Sequence, residues 1–128
     1  MTVRTQQIKK VNSLKVQILH NPRCSKSRTT LQLLQDKGFE PEVLLYQQSP
    51  PDVDQIETIL KMLAMKPRDL MRKSQPEYKQ MGLDNEQLSD QQLIKAIHDA
   101  PNLIERPIVL ANGKASIGRP PESVLEIL

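Results

Sequence analysis

Val16-Gln17-Ile18-Leu19-His20 is a short β-prone run, and Asn21-Pro22 interrupts it at once. From Ser25 onward Leu31 and Leu34 recur at helical spacing, and Gly38 supplies a C-terminal stop. Glu42 to Tyr46 reads as a second strand. A helix between two neighbouring strands implies a parallel pair joined by a right-handed crossover. This β-α-β opening decides the fold class, because it commits the chain to a sheet with helices packed on it.

The remaining elements extend that sheet. Ser49-Pro50-Pro51-Asp52 opens a helix in which Val53, Ile56, Leu60 and Leu63 form an apolar stripe. Pro67 starts another short helical piece, and Pro76 and Gly82 break the chain again. Ser89 with Gln92 is a capping-box pattern before Leu93, Ile94 and Ile97. Ile108 to Leu110 and Lys114 to Ile117 flank Ala111-Asn112-Gly113, and Asn-Gly is a strong hairpin signal. Pro120-Pro121-Glu122 then begins a terminal helix with Val124, Leu125 and Leu128 turned inward. The expected fold is α/β, a mixed sheet of thioredoxin-like (glutaredoxin-like) outline with the middle helices as a helical insertion.

Composition narrows the function classes. A chain of 128 residues is long enough for a single packed core without staples. One Cys excludes an intramolecular disulfide and any multi-cysteine zinc or iron–sulfur site. Two Tyr, one Phe and no Trp argue against reading single strands by stacking bases on exposed rings. No apolar run approaches the ~20 residues that span a bilayer, and no signal-peptide core is visible.

The net charge of +3 is unevenly spread. Of the 18 basic residues, Arg4, Lys9, Lys10 and Lys15 fall in residues 1–15, leaving 14 against all 15 acidic residues. Residues 1–15 therefore read as a disordered basic arm, and 16–128 as a single, nearly neutral domain. The expectation is a cytoplasmic protein with no nucleic-acid partner, no membrane partner, and no bound metal or cofactor.

The chemistry concentrates in His20-Asn21-Pro22-Arg23-Cys24-Ser25-Lys26-Ser27-Arg28. Cys24 falls between the first strand and the first helix, where unpaired N–H groups and the positive end of the helix dipole favour thiolate over thiol. Arg23, Lys26 and Arg28 act in the same sense, and the N–H groups also suit an oxyanion. A lone cysteine is more often a small buried hydrophobe; the polar, basic flanks and the strand–helix turn reverse that preference here. His20 either orients the thiol or is a hydrogen-bonded packing residue, and His98 beside Asp99 reads as structural.

Spacing tests the competing loop chemistries. A low-molecular-weight tyrosine phosphatase loop needs arginine six residues after the cysteine, where this chain has Thr30; Arg28 comes two residues early. A dithiol oxidoreductase needs cysteine where Ser27 stands. The glycines at 38, 82, 113 and 118 compose neither a dinucleotide fingerprint nor a P-loop. A monothiol nucleophile remains. Arg72, Arg106 and Arg119 are each, taken singly, ordinary surface residues, although Arg106 and Arg119 bracket the hairpin and guanidinium groups suit tetrahedral oxyanions.

The segment resembles the arsenate reductase family that uses glutathione and glutaredoxin, with the signature His-Asn-Pro-x-Cys-x-x-Ser-Arg. The similarity runs over residues 16 to 128, through Leu45-Tyr46 with Ser49-Pro50-Pro51, Leu70-Met71-Arg72-Lys73, Met81-Gly82-Leu83, Arg106-Pro107-Ile108-Val109 and Arg119-Pro120. The resemblance implies that Cys24 is the nucleophile and that Arg72, Arg106 and Arg119 hold the oxyanion. It implies supporting roles for His20, Asn21, Ser27 and Arg28, His20 lowering the cysteine pKa, and makes Pro107 the cis-proline beside the active loop. Arsenate or a similar small oxyanion is then the substrate, glutathione the co-substrate and glutaredoxin the protein partner. Two alternatives share the fold: a redox-responsive regulator that binds RNA polymerase, which Ser27 counts against, and a monothiol oxidoreductase acting on glutathione mixed disulfides.

Overall fold

In the computed structural model, which describes residues 15–128, the strands pair in the order β2-β1-β3-β4. These are β1 (Val16–Leu19), β2 (Glu42–Leu44), β3 (Ile108–Ala111) and β4 (Lys114–Ile117). The helices are α1 (Ser25–Asp36), α2 (Val53–Leu63), α3 (Pro67–Leu70), α4 (Pro76–Gln80) and α5 (Asp90–Asp99), with 3-10 turns at Pro101–Leu103 and Pro121–Ile127. The chain resolves into two compact units. One is a sheet unit, residues through Leu44 with Arg106–Leu128; the other is a helical unit, Leu45–Glu105. Of the basic arm read over residues 1–15, all but Lys15 lies outside the described residues.

In the sheet unit β1 runs parallel to β2 and antiparallel to β3, and β3 and β4 form the hairpin. The expected thioredoxin-like mixed sheet is therefore present. Register places Val16 opposite Ala111 and Ile18 opposite Val109, so all four share one face. That face packs with Leu34 of α1 and with Val124 and Ile127 of the last turn into one buried cluster. Each such aliphatic side chain contributes about 1.5–3 kcal/mol by leaving water.

Three expectations for this unit are corrected. The second strand ends at Leu44, because its partner β1 ends at Leu19; the His20 N–H to Leu44 carbonyl bond, 2.9 Å, is the last of the ladder. The terminal segment is 3-10 rather than α-helical; Val124 is buried as expected and Ile127 is buried with it, while Leu128 is half-buried against the same cluster and Leu125 is half-buried. Three residues per turn put Val124 and Ile127 on one face of the segment. The hairpin turn is shorter than the three residues flanked in the sequence. Ala111 stays in β3, and Asn112 (φ 57) and Gly113 (φ 70) make a two-residue turn of the left-handed type that Asn-Gly supports.

The two longer helices of the helical unit begin at complete capping boxes. Asp52 and Gln55 close a reciprocal capping box at α2, and Ser89 and Gln92 do the same at α5. The buried stripe of α2 is Ile56, Ile59 and Leu60, with Val53 and Leu63 only half-buried. Pro76 starts α4 as its first residue rather than merely breaking the chain, since a first-turn N–H has no helical partner to lose. Arg68 donates to the Tyr78 hydroxyl at 2.9 Å, to the Leu83 carbonyl, and to the Asn85 carbonyl at 3.0 Å. His98 is half-buried, its Nδ1 2.9 Å from the Pro51 carbonyl, in keeping with its structural reading.

Candidate active site

The loop leaving β1 is shaped by its own polar groups. The Asn21 side chain accepts the Arg23 N–H at 3.0 Å, and the Asn21 carbonyl accepts the Cys24 N–H at 3.0 Å. The Arg28 guanidinium reaches back to the Pro22 carbonyl at 2.8 Å. This folds Pro22 and Arg23 into a turn and delivers Cys24 to the N-cap of α1 with extended backbone, φ −94 and ψ 121. Arg28 thus braces the turn.

Cys24 is half-exposed, and its side chain closes no cap hydrogen bond on α1. Burial acts to raise its pKa and is the largest single influence. The Ser27 N–H, the Arg106 guanidinium (through hydrogen bond and charge) and the Lys26 N–H together outweigh burial, so the thiol ionises below its ordinary value. With no capping oxygen in place, the Ser27 and Lys26 N–H groups at the first turn of α1 favour the charged form of the sulfur.

His20 is buried and meets Ser27 rather than Cys24: its Nδ1 lies 2.6 Å from the Ser27 hydroxyl. That hydroxyl also accepts the Asn21 N–H at 3.0 Å. Burial first, and the Arg28 charge second, push the His20 pKa down. The ring is therefore neutral at neutral pH, and the pair shares one proton, carried by either the hydroxyl or Nδ1. His20 supplies no positive charge to the thiolate. It fixes Ser27, whose N–H faces the sulfur.

Arg106 and Arg119 bracket the hairpin as read from the sequence, and the fold brings them together. Arg119 Nε donates to the Arg106 carbonyl at 2.9 Å. Both precede cis prolines, Pro107 as the resemblance implied and Pro120 in addition. Arg106 reaches Cys24, while its Nε is buried with no hydrogen-bond partner. A buried, unpaired guanidinium N–H costs about 1–3 kcal/mol or more, a cost that a bound anion would relieve. Among the described residues this unit thus joins a nucleophile, helix-end N–H groups and an open guanidinium.

Arg72 belongs to the helical unit. Its N–H donates to the Leu103 carbonyl at 2.6 Å, its Nε stands 3.6 Å from a Glu105 carboxylate oxygen, and its Nη1 is buried without a partner. Of the candidate residues, Cys24, His20, Asn21, Ser27, Arg28, Arg106, Pro107 and Arg119 lie together in the sheet unit. Two residues escaped the sequence reading. Gly118 is buried against Thr30 and Pro107, and Thr30, which stands where a phosphatase loop would need arginine, is fully buried on α1. A glycine at a strand end outside any turn was the available signal.

A family model described as the ArsC family matches residues 19–127. The chain is 50% identical over 116 residues to an arsenate reductase of Haemophilus influenzae, covering 90% of this chain and 100% of that one. It is 55% identical over 114 residues to the uncharacterized protein YfgD of Escherichia coli K12, covering 88% of this chain and 96% of that one. Among solved structures, an arsenate reductase from Vibrio cholerae matches with a TM-score of 0.88 at 46% identity, over 90% of this chain and 98% of that one.

Proposed function

The chain belongs to the ArsC family, and on that premise we propose that it reduces arsenate to arsenite through Cys24, with glutathione and glutaredoxin as outside thiols. The observation that carries the reading is the pairing of a cysteine of lowered pKa with Arg106, whose buried Nε lacks a partner. A nucleophile and an anion donor on one loop fit an oxyanion that must be both held and attacked. The resemblance adds Arg72 and Arg119 as further donors.

The steps balance as follows. Cys24 thiolate attacks arsenic, an S–As bond forms, and one arsenic oxygen leaves as water after protonation. Glutathione thiolate displaces a second oxygen in the same way. A glutaredoxin thiolate then attacks the glutathione sulfur, forming a disulfide between them, and the As–S electron pair stays on arsenic, which falls from As(V) to As(III). Water cleaves the remaining S–As bond, releasing arsenite and the Cys24 thiol. Two thiols lose two electrons and arsenic gains them. One Cys in the chain supports this outside-thiol route, since a second protein thiol is lacking to resolve the intermediate. Dependence on those thiols suits the cytoplasm, and among the described residues no helix is long and apolar enough to cross a membrane.

Ser27, fully buried and bonded to His20 and Asn21, counts against a dithiol-switch regulator. The test is NADPH-coupled arsenate reduction with glutathione, glutathione reductase and glutaredoxin. Turnover that needs both thiols is expected. No turnover, while Cys24 still forms a glutathione adduct, would overturn the reading in favour of a monothiol oxidoreductase.

A further inference from the structure

Gly118 sits at a joint with no room for a side chain. A Cβ built there would lie 2.6 Å from Thr30 Oγ1, 2.9 Å from Pro107 Cγ and 3.2 Å from Thr30 Cγ2. None of these atoms is the loose end of a flexible chain. Thr30 is fully buried, β-branched and tied by its hydroxyl to the Lys26 carbonyl at 2.8 Å. Pro107 is a ring, and its carbonyl accepts the Gly118 N–H at 2.9 Å.

Three further facts connect the joint to the chemistry. Thr30 stands on α1, the helix that Cys24 caps. Pro107 directly follows Arg106, whose guanidinium reaches the sulfur. Arg119 directly follows Gly118, and its Nε holds the Arg106 carbonyl at 2.9 Å. The turn bearing Arg106 and the segment bearing Arg119 are thus bound to each other, and both rest on α1 across a bare glycine.

We propose that Gly118 and Thr30 are positioning residues: their contact, closed only because residue 118 lacks a side chain, sets how near the Arg106–Pro107 turn comes to the first turn of α1, and so holds Arg106 at Cys24. The inference concerns the site of the reductase reading, but its test uses no oxyanion, so the two can fail separately.

The groups acting on the sulfur are the Ser27 and Lys26 N–H dipoles and Arg106. Gly118→Ala pushes the Arg106 turn outward and leaves the two dipoles in place. Thiolate absorbance or alkylation rate against pH, measured on the folded protein, reads the result. Gly118→Ala should raise the Cys24 pKa enough to lower the thiolate fraction at neutral pH by about three- to tenfold, one pKa unit being about tenfold. In an Arg106→Ala background the same substitution should leave the titration unmoved. Adding Thr30→Ala to Gly118→Ala opens the space and should return the titration toward wild type. Should Gly118→Ala fail to fold, Thr30→Ala alone asks the question from the other side. Removing the wall frees the Arg106 turn from its set distance, so the titration should shift when Arg106 is present and not when it is absent. An unmoved titration with Arg106 present, or an equal shift with and without it, overturns the proposal.

Discussion

The N-terminus of α1 and those of α2 and α5 are built in opposite ways. In α2 and α5, the two longer helices of the helical unit, Asp52 and Ser89 accept the third-residue N–H, and Gln55 and Gln92 return the bond. Each box satisfies two otherwise orphaned donors and stabilises its helix by about 1 kcal/mol. At α1 the capping position holds Cys24, no cap bond closes, and the first turn contains no acid. The difference separates stability from function. A capped helix end has consumed the N–H groups and dipole that an open one keeps for a thiolate and an incoming anion.

Cys24→Ser breaks this comparison most sharply. Serine is a far better cap than cysteine, so arsenate reduction should be abolished while the protein gains about 0.5–1 kcal/mol in chemical denaturation. A variant that loses both activity and stability would show that the α1 end is not open in the sense argued. Arg106→Ala comes next. It removes a charged hydrogen bond to the sulfur and an unpaired donor, together on the order of 1.5–3 kcal/mol, so the arsenate KM should rise about ten- to hundredfold and the Cys24 pKa should climb. Unchanged arsenate kinetics would take Arg106 out of the site.

The closed ends give the converse result. Asp52→Ala and Ser89→Ala should each cost about 1 kcal/mol, lowering the melting temperature by a few degrees, with steady-state arsenate kinetics unaffected. A loss of turnover without loss of stability in either variant would contradict the division of labour.

The smallest effects concern pH. Cys24 ionises below its ordinary value, so the acidic limb of kcat/KM should lie below the usual thiol range and move up in Arg106→Ala. His20 is a base whose folded pKa is lowered. As pH falls through the ordinary histidine range the unfolded chain therefore takes up a proton that the native state resists, and stability declines toward acid. Denaturation midpoints of wild type and His20→Asn, followed across that range, should diverge, with the wild type falling faster.

Much of the fold was legible because it rests on local signals. Asn112-Gly113 can hardly be other than a tight hairpin turn, and Ser89 with Gln92 marks a helix start without reference to anything distant. The errors fell where a neighbour decides the outcome. Glu42 to Tyr46 has strand propensity throughout, yet pairing stops at Leu44 because β1 has ended. Val124 was read as inward and is buried, but the last segment winds as a 3-10 turn rather than an α-helix and buries Ile127 as well, which the apolar spacing does not announce. At the site, Cys24 was evident from its flanks, whereas the role of His20 was not. Its bond to Ser27 and its burial make it a neutral brace rather than a charged partner.

By itself the sequence determined that the chain has a single cysteine, Cys24, and that this cysteine stands at a strand–helix turn among basic residues, because those features are local. Only the tertiary structure decided which cation meets the sulfur and what holds it there. Arg106 is 82 residues from Cys24 along the chain, and it arrives through the β1–β3 pairing and a bare glycine packed on Thr30. Chemistry that depends on residue type is written locally. Distance and charge balance arise from packing between segments that have no reason, in one dimension, to meet.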